Sequence, residues 1–435
     1  MKLFPEQFSN AIPDLGPCKF ANPIRTSGFI SDSSYELYET DRETVKTYIE
    51  QKKEVPSFIK AGPREKLFYN PSEVSAGIVT CGGLCPGLND VIRSLVMVLY
   101  YQYGVKRILG YRYGYNGIIE NPLAEPVVLT PSMVRDIHNE GGTMLGSSRG
   151  QPDVGLQVDR LEKDKVQMLF TIGGDGTLRG TRDIALMCMK RGNNISVIGI
   201  PKTIDNDIGC TSRSFGFLTS VEEARTCISA MHNESLGAPN GVGLIKLMGR
   251  DSGYIAANAC LANNHANFCL IPEVAFNLNG PGGLLAQLQK RLEKSGHAVI
   301  VVAEGAGQNL FGQDGAVTDA SGNKLHKDIG ILLKDKITQH FKENKIPLNL
   351  KYVDPSYLIR SKAANAEDSS FCLILGQHAV HAAMAGKTNT VIAYWNNTFI
   401  LVPVSMAVAR RKKIDPAGEL WQSVLTATGQ PPVLE

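Results

Sequence analysis

Met168-Leu169-Phe170-Thr171-Ile172-Gly173-Gly174-Asp175-Gly176-Thr177 is followed, one helix-length later, by Ile195-Ser196-Val197-Ile198-Gly199-Ile200-Pro201-Lys202-Thr203-Ile204-Asp205-Asn206-Asp207. The apolar runs at 166–172 and 195–200 have the length of buried strands, and the window between them, 179–190, has helical spacing. Each strand runs directly into a polar loop, the first a glycine cluster around one Asp, the second a loop with two carboxylates two residues apart. Strand, loop, helix and strand in this order form the unit of a parallel sheet, whose ligand loops gather at the carboxyl ends of the strands.

Working outward, the same alternation extends along most of the chain. Further strands are predicted over 76–80, 107–111, 243–247, 299–303 and 391–394. Helices are predicted over 90–101, 219–233, 253–262, 284–294, 327–342 and 369–385. The class is therefore α/β, with mostly parallel, doubly wound sheets, and a length of 435 residues suggests two domains or one large one. Residues 1–75 break the pattern, with dispersed prolines, one charged helical patch at 44–53 and no recognisable chemistry. They read as an N-terminal extension that packs on the core or on a neighbouring subunit.

Apolar residues make up 43% and charged residues 20% of the chain, the balance of a globular protein with full-sized cores. A net charge of +3 gives no electrostatic reason to expect nucleic acid or a membrane surface as partner. No apolar run approaches the roughly 18 residues of a membrane span, and the polar start Met1-Lys2-Leu3-Phe4-Pro5-Glu6 does not read as a signal peptide. The nine cysteines include Cys81 and Cys85 without a second pair to complete a zinc site, so free thiols in a reducing cytoplasm are expected.

Three loops carry the chemistry. Thr80-Cys81-Gly82-Gly83-Leu84-Cys85-Pro86-Gly87-Leu88-Asn89 joins a strand to a helix, where glycines let backbone N–H groups approach an anion. It matches neither the Walker nor the dinucleotide-binding glycine pattern, and alone it reads equally well as a tight turn. Around Asp175, the glycines can hold phosphates while the carboxylate receives Mg²⁺. In Pro201–Asp207, Asp205 can take a proton from a hydroxyl, Asp207 adds a second negative charge that raises the basicity of its neighbour, and Thr203 and Asn206 can hold the geometry. Together these loops are equipment for phosphoryl transfer to a hydroxyl.

In order along the chain, Gly82-Gly83…Gly87-Leu88-Asn89, Leu145-Gly146-Ser147-Ser148-Arg149, Gly173–Thr177, Pro201–Asp207, Met248-Gly249-Arg250 and Val302-Ala303-Glu304-Gly305 resemble the 6-phosphofructokinases. The run Tyr352–Arg360 is most similar to the plant and trypanosomatid branch, as is the long N-terminal region. The resemblance implies that Asp205 deprotonates the 1-hydroxyl of fructose 6-phosphate, with Thr203 contacting the transferred group or the sugar and Asp207 orienting the site. It implies that Arg250 meets the transferring phosphoryl group, with Met248 and Gly249 lining the sugar pocket and Glu304 accepting from sugar hydroxyls. Tyr357 and Arg360 would grip the 6-phosphate, and Lys351 would reach a sugar phosphate across a subunit boundary. Asp175 would hold Mg²⁺, and Gly82, Gly83, Arg149, Gly150, Gly174, Gly176 and Thr177 would cradle the donor phosphates, with Arg112 against the base. On this resemblance two Rossmann-like domains are expected. Residues 76–218 with about 360–398 would bind ATP, and 219–359 with about 399–435 would bind the sugar phosphate.

The donor rests on two positions. Gly176 leaves room for the α-phosphate and ribose of ATP where similar pyrophosphate users carry Asp, while Lys202 is shared with pyrophosphate users. This combination is the one seen in plant-like and trypanosomatid-like ATP enzymes, so ATP is expected and pyrophosphate is the alternative. An NAD or lipid kinase would share the Gly-Gly-Asp-Gly loop but not Thr203–Asp207, and a non-catalytic regulatory subunit should lack Asp205. The resemblance also implies a homo-oligomer, a tetramer in preference to a dimer, located in the cytoplasm.

Overall fold

The computed structural model describes residues 10–312 and 326–435; the polar start 1–6 lies outside them. The described parts of Met1–Thr203, together with Ile208–Gly216 and Lys362–Arg411, form one compact unit. Ile204–Asp207, Lys412–Glu435 and the described parts of Phe217–Ser361 form a second.

The first unit is organised on a nine-stranded sheet in the order 35–37, 57–60, 398–403, 390–395, 196–201, 168–173, 75–80, 107–111 and 127–128. Its five central strands, 390–395 through 107–111, are mutually parallel, and the strands outside them pair antiparallel. Ser75–Thr80, Met168–Gly173 and Ser196–Pro201 are buried at every position, which is why they read as unbroken apolar runs rather than as alternation. The helix Asp175–Arg191 starts directly from the strand Met168–Gly173 and ends at Gly192, whose φ of 71° provides the left-handed cap. Gly77 illustrates how tightly helices and strands close on the sheet, since a Cβ there would stand 2.8 Å from the Tyr111 ring.

The second unit holds a wholly parallel four-stranded sheet, in the order Phe268–Leu270, His297–Ala303, Gly241–Leu247 and Asn349–Val353. Its core packs Val242, Leu244, Ile300 and Val302 against Leu285, Leu288, Leu292, Leu333, Ile337 and Phe341 of the helices Leu284–Ser295 and Ile329–Glu343. Mixed α/β layers with parallel centres are the expected class.

Two expected boundaries differ. Residues 399–411 belong to the first unit, because Thr398–Pro403 returns antiparallel beside Thr390–Trp395, a hairpin closed by Asn396 and Asn397 at φ of 46° and 61°. The region read as an N-terminal extension contributes Ser57–Lys60 to the same sheet, paired with Ile400 and Leu401. Its Asp14 and Asp32 meet the buried ammonium of Lys387 at 2.8 and 3.0 Å, so residues 10–75 are integral to the unit.

Candidate functional site

In the first unit, Gly82 has φ of 85° and Gly87 φ of 96°, and a Cβ at Gly87 would lie 2.6 Å from the Cys372 sulfur. The loop after Ser75–Thr80 therefore requires glycine for conformation and for close packing. It is zipped to the segment 145–150. The Gly82 N–H donates to the Ser148 carbonyl at 2.9 Å, the Ser147 hydroxyl to the Gly82 carbonyl at 2.6 Å, and the Thr80 hydroxyl to the Gly146 carbonyl at 2.7 Å. Gly83, Arg149 and Gly150 are brought to the same place. Lys202, 5% exposed, donates from Nζ to the Gly83 carbonyl at 2.5 Å, which fixes an ammonium at the glycine loop.

Asp175, Gly176 and Thr177 open the helix Asp175–Arg191, with Gly174 as its cap. A Cβ at Gly173 would stand 2.1 Å from the Thr177 hydroxyl, so this turn can be made only with glycine. Thr177 is buried and its carbonyl accepts from Tyr115 and Thr181, while Gly176 is exposed at the second helical position. Backbone N–H groups at the start of a helix can receive an anion, and Lys202 places an ammonium at the neighbouring glycine loop. Two buried polar atoms there have no hydrogen-bond partner, the Ser148 hydroxyl and Arg112 Nε, as expected of a cradle that a phosphate-bearing ligand completes. A Mg²⁺ ion keeps several waters and takes ligand phosphates, so it needs one or two carboxylates rather than a cage. Asp175 meets that requirement, and no group of three or more His, Cys, Asp or Glu stands together as a cage among the described residues.

Cys81 and Cys85 lie under these loops and are buried, and burial pushes the Cys81 thiol up to about 12. A thiol held that far from ionisation is a packing group rather than a redox centre.

The second unit presents side chains instead. The Asp205 carbonyl accepts from the Ser252 hydroxyl at 3.1 Å and the Asp207 carbonyl from the Lys412 N–H at 2.7 Å. Between them, Asn206 adopts φ of 54°, a left-handed conformation that Asn tolerates. At the carboxyl ends of two adjacent parallel strands, Met248-Gly249-Arg250 follows Gly241–Leu247 and Glu304 follows His297–Ala303. Glu304 Oε1 accepts the Arg250 N–H at 2.8 Å. Arg250 has φ of 53°, a strained conformation for a residue with a Cβ, and a Cβ at Gly305 would stand 1.9 Å from the Arg250 carbonyl. Strain of this kind, locked by a carboxylate on the backbone N–H, fixes the turn from which the Arg250 side chain departs.

Tyr357 and Arg360 lie in the loop after Asn349–Val353, with the guanidinium carbon 4.9 Å from the ring centre and Tyr357 largely exposed. Lys351 is not brought to these strand ends. It sits within the exposed edge strand Asn349–Val353, paired with Gly243 near the amino end of its neighbour.

A model of the phosphofructokinase family, described as Phosphofructokinase, matches residues 75–383. The chain is also 47% identical to an ATP-dependent 6-phosphofructokinase of Borreliella burgdorferi, over 98% of each sequence. The chain belongs to the phosphofructokinase family. It is 47% identical to the ATP-dependent 6-phosphofructokinase of Trypanosoma cruzi as well, over 85% of this chain and 76% of that one. Among solved structures, a pyrophosphate-dependent phosphofructokinase from Marinobacter aquaeolei superimposes with a TM-score of 0.66 at 20% identity. That match covers 82% of this chain and 91% of that one, and it establishes the shared fold alone.

Several residues of this family member escaped sequence reasoning. Ser148 holds an unpartnered buried hydroxyl, Ser252 pins Asp205, and Glu273 accepts from Gly253 and Ile414 at 3.1 Å each. Arg411 contacts Asp175, and Lys412, over the Tyr254 ring, has its pKa lowered by burial to about 8. The basic run 410–413 was the only local signal for the last two, and a charge run usually marks a solvated face.

Proposed function

We propose that the protein transfers the γ-phosphoryl group of ATP to the 1-hydroxyl of fructose 6-phosphate, giving fructose 1,6-bisphosphate. The observation that carries this reading is the pair of zipped glycine loops with Lys202 Nζ fixed on Gly83, a preorganised phosphate cradle in a chain of this family. Charge on the transferring group is best stabilised by donors already in place, because no reorganisation is then needed at the moment of reaction. Gly82, Gly83, Arg149, Gly150, Gly174, Gly176 and Thr177 would hold the donor phosphates, with Lys202 beside them and Arg112 toward the base. The first unit is accordingly the proposed nucleotide domain and the second the proposed sugar domain.

Asp205 takes the proton of the 1-hydroxyl as the oxygen attacks phosphorus, and the bond from phosphorus to the leaving ADP oxygen breaks. Thr203 steadies the transferred group, and Asp207 holds the acidic loop in its arc and keeps the base basic. Arg250 places its guanidinium against the developing charge, Met248 and Gly249 line the sugar, and Glu304 both aims Arg250 and accepts from sugar hydroxyls. Tyr357 and Arg360 grip the 6-phosphate. Lys351, away from the other side chains, serves a sugar phosphate of a neighbouring copy in a homo-oligomer, tetrameric by preference. A Mg²⁺ ion bound at Asp175 would neutralise phosphate charge when the nucleotide is present.

An exposed Gly176 favours ATP, since no side chain fills the space beside the first helical turn. Lys202 keeps pyrophosphate as the second reading. Nine free cysteines agree with a reducing cytoplasm, and no helix among the described residues is long and apolar enough to cross a membrane. The test is product formation by the purified chain with Mg²⁺ and fructose 6-phosphate, ATP against pyrophosphate as donor. Turnover with ATP well above that with pyrophosphate is expected. Turnover with pyrophosphate alone would reverse the donor assignment, and turnover with neither would end the proposal.

A further inference from the structure

Asp175, the proposed metal carboxylate, already carries a cation in the protein itself. Arg411 approaches it with two nitrogens, Nε and Nη2, each 2.8 Å from the same oxygen, Oδ2. The Asp175 side chain is 8% exposed and that of Arg411 22%, so water screens this pair much less than a surface ion pair. Nor is Arg411 a long side chain that happens to fall on a carboxylate. Its backbone leaves the short helix Val404–Ala407 and passes Gly209 so closely that a Cβ there would stand 2.7 Å from the Arg410 carbonyl and 3.2 Å from that of Ala407. The Gly209 N–H also donates to the Ala407 carbonyl at 3.2 Å. The chain is therefore held where the guanidinium can reach residue 175, 236 positions away in sequence.

A carboxylate at a helix N-terminus that also accepts from a guanidinium has its charge matched before any metal arrives. We infer that Arg411 is a resident counter-ion of Asp175, a positioning residue that a divalent cation must displace from Oδ2, and that it keeps the nucleotide-free enzyme a poor metal binder. The guanidinium has phosphate oxygens as an alternative partner of matching geometry. Metal uptake is thereby tied to arrival of the nucleotide, because donor phosphates bound at the same helix end give Arg411 another anion as it yields Oδ2. This inference rests on the proposed role of Asp175.

The test titrates Mn²⁺, in place of Mg²⁺, into the nucleotide-free full chain, with free Mn²⁺ read by electron paramagnetic resonance. Wild type, Arg411→Lys, Arg411→Met and Asp175→Asn are compared, with melting temperatures measured alongside. Arg411→Met is expected to bind Mn²⁺ on the order of tenfold more tightly than wild type, as loss of one positive charge a few ångströms away should give. Arg411→Lys, which keeps the charge but loses the two-nitrogen contact, should fall between them. A non-hydrolysable ATP analogue should narrow the gap between wild type and Arg411→Met. Equal or weaker Mn²⁺ binding by a normally melting Arg411→Met overturns the inference. If that variant does not fold, Arg411→Lys decides in the same sense. Asp175→Asn separates the two levels of the argument. With the ATP analogue bound, Mn²⁺ binding by Asp175→Asn equal to that of wild type removes the metal assignment itself, whereas weakened binding there, with nucleotide-free Arg411→Met no tighter than wild type, removes only the role of Arg411.

Discussion

In the nine-stranded unit, the groups proposed to face a ligand are mainly peptide N–H groups, a helix end and one ammonium pinned to a carbonyl. In the four-stranded unit they are side chains, Arg250 and Glu304 at adjacent strand ends and Asp205 in an arc held by Ser252 and Lys412. Both arrangements sit on parallel strands, yet they are specified differently. A backbone cradle needs residues that have no side chain, so it is written in glycine. A side-chain site needs particular chemistry at strand ends far apart in sequence, and no local pattern announces it. The first kind should tolerate most changes except an added side chain, and the second should be sensitive to conservative exchanges.

The sharpest break of that comparison is Asp205→Asn. The amide keeps the shape and removes the base, so kcat should fall about 10²–10⁴-fold with Michaelis constants little changed. Steady-state kinetics that stay within a few-fold of wild type would remove Asp205 from the chemistry. Next in size is Gly176→Asp on the donor side. An Asp in the first helical turn suits the helix N-terminus, so folding should be preserved. Repulsion from the α-phosphate, roughly 4 kcal/mol at ~4 Å and an effective dielectric of ~20, predicts a loss near 10³-fold in kcat/KM for ATP. Pyrophosphate activity should suffer far less. An unchanged ratio of the two activities would show that exposed Gly176 does not border the donor.

Arg250→Ala should cost about 10²–10³-fold in kcat and weaken the sugar phosphate at the same time. Backbone strain makes this prediction more discriminating. Because φ at 250 is 53°, Arg250→Gly should be more stable than Arg250→Ala by roughly 1 kcal/mol while being equally inactive. Equal stability of the two variants would mean that the left-handed turn relaxes once the guanidinium is gone, and that Glu304 holds nothing in strain.

Legibility followed the same division. The central strands and long helices were visible because strands buried on both faces become apolar runs and their helices keep a 3.6-residue period. The edge strands Tyr35–Leu37 and Ser57–Lys60 and the return strand Thr398–Pro403 were missed: the first two are only three and four residues long, and Ser57–Lys60 joins the sheet through Ile400 and Leu401, some 340 positions later. The glycine loops pointed to phosphate only in combination with the acidic loop after them, since the one at 80–89 alone reads equally well as a tight turn. Asp205, Arg250 and Glu304 became candidates as a set only through a family resemblance, and Arg411 and Lys412, in the basic run 410–413, carried no motif of their own. Their partners, Asp175 and Asp207, lie more than 200 positions earlier, and only folding reveals the pairing.

Lys412 offers the smallest effect and the most direct reading of how the side-chain region is built. Burial of its ammonium lowers its pKa to about 8, against an opposing pull from Asp207. In the unfolded chain the same group titrates near 10.4. Below pH 8 both states carry the proton, and the folded state bears the full cost of a partly desolvated charge. Between about pH 8 and 10.5 the unfolded chain binds more protons than the folded one, so stability gains from this group as pH rises through that window. Lys412→Met has no such dependence. Chemical denaturation of both proteins from pH 7 to 10.5 should therefore show the stability difference moving in favour of wild type by roughly 1–2 kcal/mol after allowance for solvent screening. A difference that stays flat over that range would mean the ammonium reaches water, and that Asp207 rests beside an ordinary surface lysine.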